Sequence, residues 1–200
     1  MTDSLPCNIV LLPSDDLAEL AIEMSRSLRG EKLYELSRDT LAPHLSLYMT
    51  QLKVTDLDEA KALLSGIATR TRTFNLAAIN YGAEEGYFEV GYRRTNALDA
   101  LQQSVVTAVN PIRDGMRVKD KIRMESAVGI ALENFKKYGY PNIGELFRPH
   151  ISFTRFSHAV RPDVREDFSK FSGVFSRLAL CEMGGNGTCT RIIAAFSLRM

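Results

Sequence analysis

The sequence predicts an α+β chain built as two similar halves. Two observations carry this. Short apolar and β-branched runs alternate with amphipathic helical stretches along the chain. Each half also repeats the order strand, helix, strand, helix, strand, with a histidine opening its middle strand.

The elements follow in order. Asn8 to Leu12 reads as a buried strand. Ser14 offers an N-cap, Asp15 and Asp16 complement the first turn, and Leu17, Leu20, Ala21, Met24 and Leu28 recur at helical spacing until Gly30. His44 to Leu52 alternates as a strand. Thr55 with Asp58 marks the start of a second helix through Leu64 and Ile67. Phe74 to Tyr81 and Tyr87 to Tyr92 read as strands around a turn at Gly82–Gly86. Asn96 can cap a helix that Pro111 ends. A long helix is expected over Met116 to Tyr138, then a strand from His150 to Phe156, then a short helix starting near Pro162. Strands at Val174 to Met183 and Cys189 to Leu198 close the chain around Gly184 to Gly187. Phe74-Asn-Leu-Ala-Ala-Ile and Phe175-Ser-Arg-Leu-Ala-Leu take the same place in the two halves.

Composition narrows the classes. The chain has 200 residues, 45% hydrophobic and 24% charged, enough to bury a core without disulfide or metal staples. No apolar run approaches the roughly 18–20 residues of a membrane span, and no basic segment precedes the first apolar stretch, so neither a membrane anchor nor a signal peptide is expected. Cys7, Cys181 and Cys189 lack metal-ligand spacing and read as reduced thiols of a cytoplasmic protein, although Cys181 and Cys189 could face each other across a hairpin. A net charge of +1 argues against broad phosphate-driven binding to duplex DNA, but not against a small anion or a single RNA end.

Two of the three histidines share one context, Pro43-His44-Leu45-Ser46-Leu47 and Pro149-His150-Ile151-Ser152-Phe153. Random composition gives that pattern at a histidine less than about once in a hundred. A regular strand places His44, Ser46 and Tyr48 on one face, and likewise His150, Ser152 and Thr154. If the halves are related by a pseudo-twofold axis, the imidazoles converge across one groove. Such a pair suits phosphodiester chemistry without a metal or cofactor. One imidazole takes a proton from the attacking oxygen and the other gives one to the departing oxygen, while the serines bind non-bridging phosphate oxygens. A lone histidine in a half-buried strand is more often structural; the matched pair reverses that weighting.

These segments resemble the two H-x-[S/T]-x motifs of the 2H phosphoesterase superfamily, which includes the bacterial 2′-5′ RNA ligases and cyclic phosphodiesterases. The resemblance implies a single duplicated domain over 1–200: two pseudo-symmetric lobes of antiparallel sheet with outer helices around a central groove. The lobes divide roughly as 1–85 plus the C-terminal strands, and 86–200. It implies His44 and His150 as the acid/base pair, and Ser46 and Ser152 as phosphate ligands. The expected activity is metal-independent opening of a nucleoside or RNA 2′,3′-cyclic phosphate by a monomer. Alternatives are a non-catalytic nucleotide-binding module, or RNA end processing or 2′-5′ joining.

Both hydroxyl positions are Ser where Thr is commoner in that group, and Tyr48-Met-Thr-Gln departs from the bacterial ligase ending. Tyr48, Arg148, Thr154 and Arg155 are further candidates for substrate contact. Arg155 has the wrong parity to share a face with His150 and needs a strand end or a bulge to reach a phosphate. Arg113, Arg117, Lys119, Lys121 and Arg123 form a basic cluster that reads as a solvated helix surface or as a guide for a phosphate. Tyr34, Tyr140 and Phe147 lie where a base could stack, and His158 reads as exposed.

Overall fold

The computed structural model describes residues 3–159 and 162–200. The chain opens with strand β1 (Ser4–Pro13), helix α1 (Asp15–Ser27), strand β2 (Leu45–Lys53), helix α2 (Leu57–Ala68) and the short strand β3 (Phe74–Leu76). A hairpin of β4 (Ala78–Glu84) and β5 (Tyr87–Tyr92) follows, then α3 (Asn96–Val109), α4 (Val118–Glu125), α5 (Gly129–Tyr138) and β6 (His150–Arg155). The last two strands are β7 (Gly173–Met183) and β8 (Cys189–Ser197).

The strands form two antiparallel sheets. One runs β2-β1-β7, with β3 and β8 both pairing β7; the other runs β4-β5-β6. The two-lobed α+β architecture expected from the sequence is therefore present. β1 lies between β2 and β7 and buries both faces, which is why Cys7 to Leu12 reads as an apolar run with a single polar residue, Asn8. The turn from β4 to β5 is the residue pair Glu85–Gly86, both at positive φ, the geometry of a tight hairpin.

Helices cross between lobes. α1 packs on β6, and α3 packs on β2. One continuous core joins the sheets, with Phe153 at 4.9 Å from Phe171 and 5.9 Å from Phe88. Burying side chains of this size contributes roughly 1.5–3 kcal/mol each.

Several local expectations are corrected. The apolar segment from Phe74 to Tyr81 is two strands, because the chain changes sheets at Ala77, ahead of the division expected near residue 85. Phe74 and Phe175 are not equivalent positions of a repeat; they pair directly in one sheet. By position in the sheets, β1–β2 corresponds to β5–β6. The long helix over Met116 to Tyr138 is two helices, broken at Ser126 to Val128 before Gly129, whose φ of 56° cannot continue an α-helix. Thr95, not Asn96, caps α3 by accepting from the Leu98 N–H. Thr55 lies in a 3₁₀ turn, and Asp56 precedes α2. No helix starts at Pro162; the next helical turn is Phe168–Phe171, capped by Asp167. Cys181 and Cys189 are joined in a disulfide rather than reduced, since the β7–β8 hairpin brings their Cα atoms to 5.8 Å, while Cys7 remains a free buried thiol.

Candidate active site

β2 and β6 stand at the edges of their sheets and approach each other across a cavity of about 850 Å³. His44, Ser46, His150 and Ser152 all line it. The two motifs, more than a hundred residues apart in the chain, thus share one space.

Both motif strands carry a bulge at the same place. In the β1–β2 ladder the register skips Leu47, and in the β5–β6 ladder it skips Phe153. An extra residue flips the alternation beyond it. Leu47 and Tyr48 are therefore both buried, as are Phe153 and Thr154. This corrects the faces expected for Tyr48 and Thr154. The Tyr48 hydroxyl donates to Tyr138 O at 2.7 Å and to Asn110 Oδ1 at 3.0 Å, and the Thr154 hydroxyl donates to Tyr34 O at 2.6 Å; neither residue reaches the cavity. The same flip turns Met49 and Arg155 into the cavity at matching positions. Arg155 donates to Asn186 Oδ1 at 2.9 Å and lies 4.8 Å over the Tyr87 ring. Arg148 also lines the cavity, exposed and 3.4 Å from Glu84. Tyr34 and Tyr140 line it as well, whereas Phe147 does not.

The imidazoles are held alike. His44 Nδ1 lies 2.8 Å from Ala42 O, and His150 Nδ1 lies 2.7 Å from Arg148 O. A backbone carbonyl two residues upstream thus accepts from Nδ1–H in each, which fixes the ring orientation. Ala42 is in turn fixed through its N–H to Cys189 O at 3.2 Å.

The neighbouring strand supplies one polar side chain to each motif. Asn8 on β1 donates from Nδ2 to Ser46 Oγ at 2.8 Å and faces His44 Nε2 at 3.3 Å. Glu89 on β5 accepts from Ser152 Oγ at 3.4 Å and faces His150 Nε2 at 3.4 Å. The sequence reading missed both residues. Asn8 was signalled by being the one polar residue in a buried apolar strand; Glu89 had no comparable signal. Asn8 Oδ1 is buried without a partner among the described residues. The opposite amide orientation would strand two N–H donors instead, which is rarer in buried sites.

The two sites differ electrostatically. His44 lies deep in the cleft, and burial pulls it below the ordinary histidine value of 6.5. The backbone contact with Ala42 opposes this, the His150 ring adds to it, and Gly187 opposes it weakly. The amide of Asn8 gives an imidazolium at His44 no counter-ion, whereas Glu89 gives one to His150.

Comparison with solved structures identifies the fold. The chain shares its fold with Escherichia coli LigT bound to phosphate, at a TM-score of 0.60, 13% identity and 99% coverage of both chains. A structure described only as a phosphoesterase matches at 0.61, with 13% identity and coverage of 98% of this chain and 99% of that one. TT0787 of Thermus thermophilus matches at 0.59, with 15% identity and 98% coverage of both chains. The fold is that of the 2H phosphoesterases.

Residues 40–179 match the family model described as Protein of unknown function (DUF1045), and the chain belongs to that family. No curated protein matches the chain. Among the described residues, no helix is long and apolar enough to cross a membrane.

Proposed function

We propose that this protein is a phosphodiesterase that opens a small cyclic phosphate, such as a nucleoside 2′,3′-cyclic phosphate, by acid/base catalysis at His44 and His150. One observation carries the reading: two imidazoles, each with Nδ1 tied to a backbone carbonyl, line one cavity. A cavity of about 850 Å³ suits a ligand of nucleotide size. All the residues in this reading come from one chain.

The differing partners set the direction of proton flow. His44, kept neutral by burial and by the Asn8 amide, takes a proton from water as its oxygen attacks phosphorus. His150, which faces the Glu89 carboxylate, is assigned the acid role, giving an Nε2 proton to the ribose oxygen as the P–O bond breaks. The products are a phosphate monoester and a free hydroxyl. Ser46 and Ser152 hydrogen-bond the non-bridging oxygens, whose charge grows in the transition state.

The test is turnover of a panel of cyclic nucleotides and of RNA ending in a 2′,3′-cyclic phosphate, assayed with EDTA present. Hydrolysis that falls at least about a hundredfold in both His44→Ala and His150→Ala supports the assignment. Hydrolysis retained in both variants overturns it. A joined 2′-5′ product in place of hydrolysis would assign the site to ligation.

A further inference from the structure

The bulge turns Arg155 into the cavity. Arg117, Lys119 and Arg123 from the start and body of α4 line the same cavity. The Arg117 guanidinium is largely buried, bonded to the buried Asp120 and lying 5.8 Å over the Tyr140 ring. Arg123 shares Asp120 at 3.4 Å. Lys119 has no hydrogen bond or ion pair among the described residues. Its side chain is exposed at the cavity mouth, and some desolvation, then repulsion from Arg155, Arg123 and Arg117, in that order, pulls it below the ordinary lysine value.

Four cationic side chains against Asp120 and Glu85 leave a formal excess of two positive charges at this end of the cavity, in a chain whose total is only +1. Like charges so placed repel each other, and a bound anion would relieve that repulsion. Of the other acidic residues of the cavity, Glu84 and Glu89 are engaged elsewhere, and Glu85 adjoins the cluster. Glu84 faces Arg148, Glu89 faces His150, and Glu85 sits on the β4–β5 turn, where its carbonyl accepts from Arg155.

We propose that Arg117, Lys119, Arg123 and Arg155 form a second anion site that binds a terminal phosphate monoester of the substrate, alongside the phosphate between the histidines. A monoester carries close to two negative charges and three free oxygens, whereas the internal diester of an RNA chain carries one charge. The charge excess and the bounded cavity both favour the monoester. The proposal deepens the phosphodiesterase reading by naming a substrate class: a cyclic phosphate ester with a second, terminal phosphate. The anion site itself stands without turnover.

The test is therefore binding. Calorimetry compares adenosine 3′-phosphate, adenosine 3′,5′-bisphosphate, and a diadenosine 3′-phosphate whose second phosphate is an internal diester. In the wild-type protein the terminal 5′-phosphate tightens binding about tenfold or more, the internal diester less than threefold. In Lys119→Met, which breaks no contact within the fold, and in Arg155→Met, the ratio between the first two ligands falls towards unity. An equal affinity for those two ligands, a gain that survives both variants, or an internal diester as effective as the monoester overturns the proposal. Bisphosphate preference without hydrolysis of any cyclic phosphate would leave this site standing and remove the phosphodiesterase reading.

Discussion

Gln102 and Ser25 do the same work from opposite halves of the chain. Gln102 on α3 donates to Leu47 O at 3.0 Å, and Ser25 on α1 donates to Phe153 O at 2.7 Å. Leu47 and Phe153 are the bulge residues of the two motif strands, so each bulge carbonyl is satisfied by a buried side chain from a helix of the other half. Both helix residues are otherwise satisfied: Ser25 accepts from Leu36 N–H, and Gln102 bonds Asn142 O and Gly144 N–H.

Gln102→Leu and Ser25→Ala should each lower stability by about 1–3 kcal/mol, because each leaves a bulge carbonyl buried and unpaired. Urea denaturation with an unchanged slope is the measurement. A loss under about 0.5 kcal/mol in both would show that the bulges need no such support.

Tyr48→Phe tests the flipped register. The hydroxyl holds Asn110 and Tyr138 O inside the core, so its removal should cost about 1–2 kcal/mol while kcat/KM stays within about twofold. A large kcat/KM loss at unchanged stability would put Tyr48 on the substrate side instead.

The site was legible in the sequence chiefly because histidine is rare and its context recurs. The bulges were not, since Leu47–Tyr48 and Phe153–Thr154 give no apolar-polar signal of where alternation breaks. Arg155 shows the value of parity: its odd spacing from His150 required a bulge to reach a phosphate, and the bulge is there. The helix expected from Met116 to Tyr138 failed for the opposite reason. Apolar spacing runs through Met124, Val128, Ala131, Leu132 and Phe135, yet Val128 is exposed while Phe135 is buried, and the left-handed Gly129 decides where the helix breaks. Glu89 required knowledge of which strand lies beside β6, and that pairing comes from tertiary structure.

The pH dependence follows from His44. A base held below the usual histidine value of 6.5 keeps its acceptor form into mildly acidic solution, so the acidic limb of kcat/KM should fall below that value. Asn8→Asp sets a carboxylate opposite Nε2, favours the charged ring and should move that limb upward. The sign for stability matches. The unfolded chain protonates His44 more readily than the fold does, so this contribution is complete above the unfolded value and is lost as pH falls through it towards the folded one. His44→Gln should flatten that part of the stability profile. An acidic limb at or above the ordinary value in the wild type would contradict the assignment of His44 as base.

Ser46→Ala and Ser152→Ala should each lower kcat/KM by about ten- to a thousandfold, mainly through kcat, since the hydroxyls bond oxygens whose charge grows in the transition state. Thr at either position should restore much of the rate. Glu89→Gln should lower kcat/KM by about tenfold, because the protonated His150 loses its counter-ion. Stopped assays on the best substrate of the panel, with the melting temperature of each variant, separate these effects from misfolding.

The central claim is that His44 and His150 act on one phosphate. A crystal structure with phosphate bound tests it most directly. One anion is expected in the cavity, with oxygens about 3 Å from Nε2 of both histidines and from Oγ of Ser46 and Ser152. A phosphate that contacts only one of the two imidazoles, or a cavity that stays empty while phosphate binds elsewhere, would contradict it.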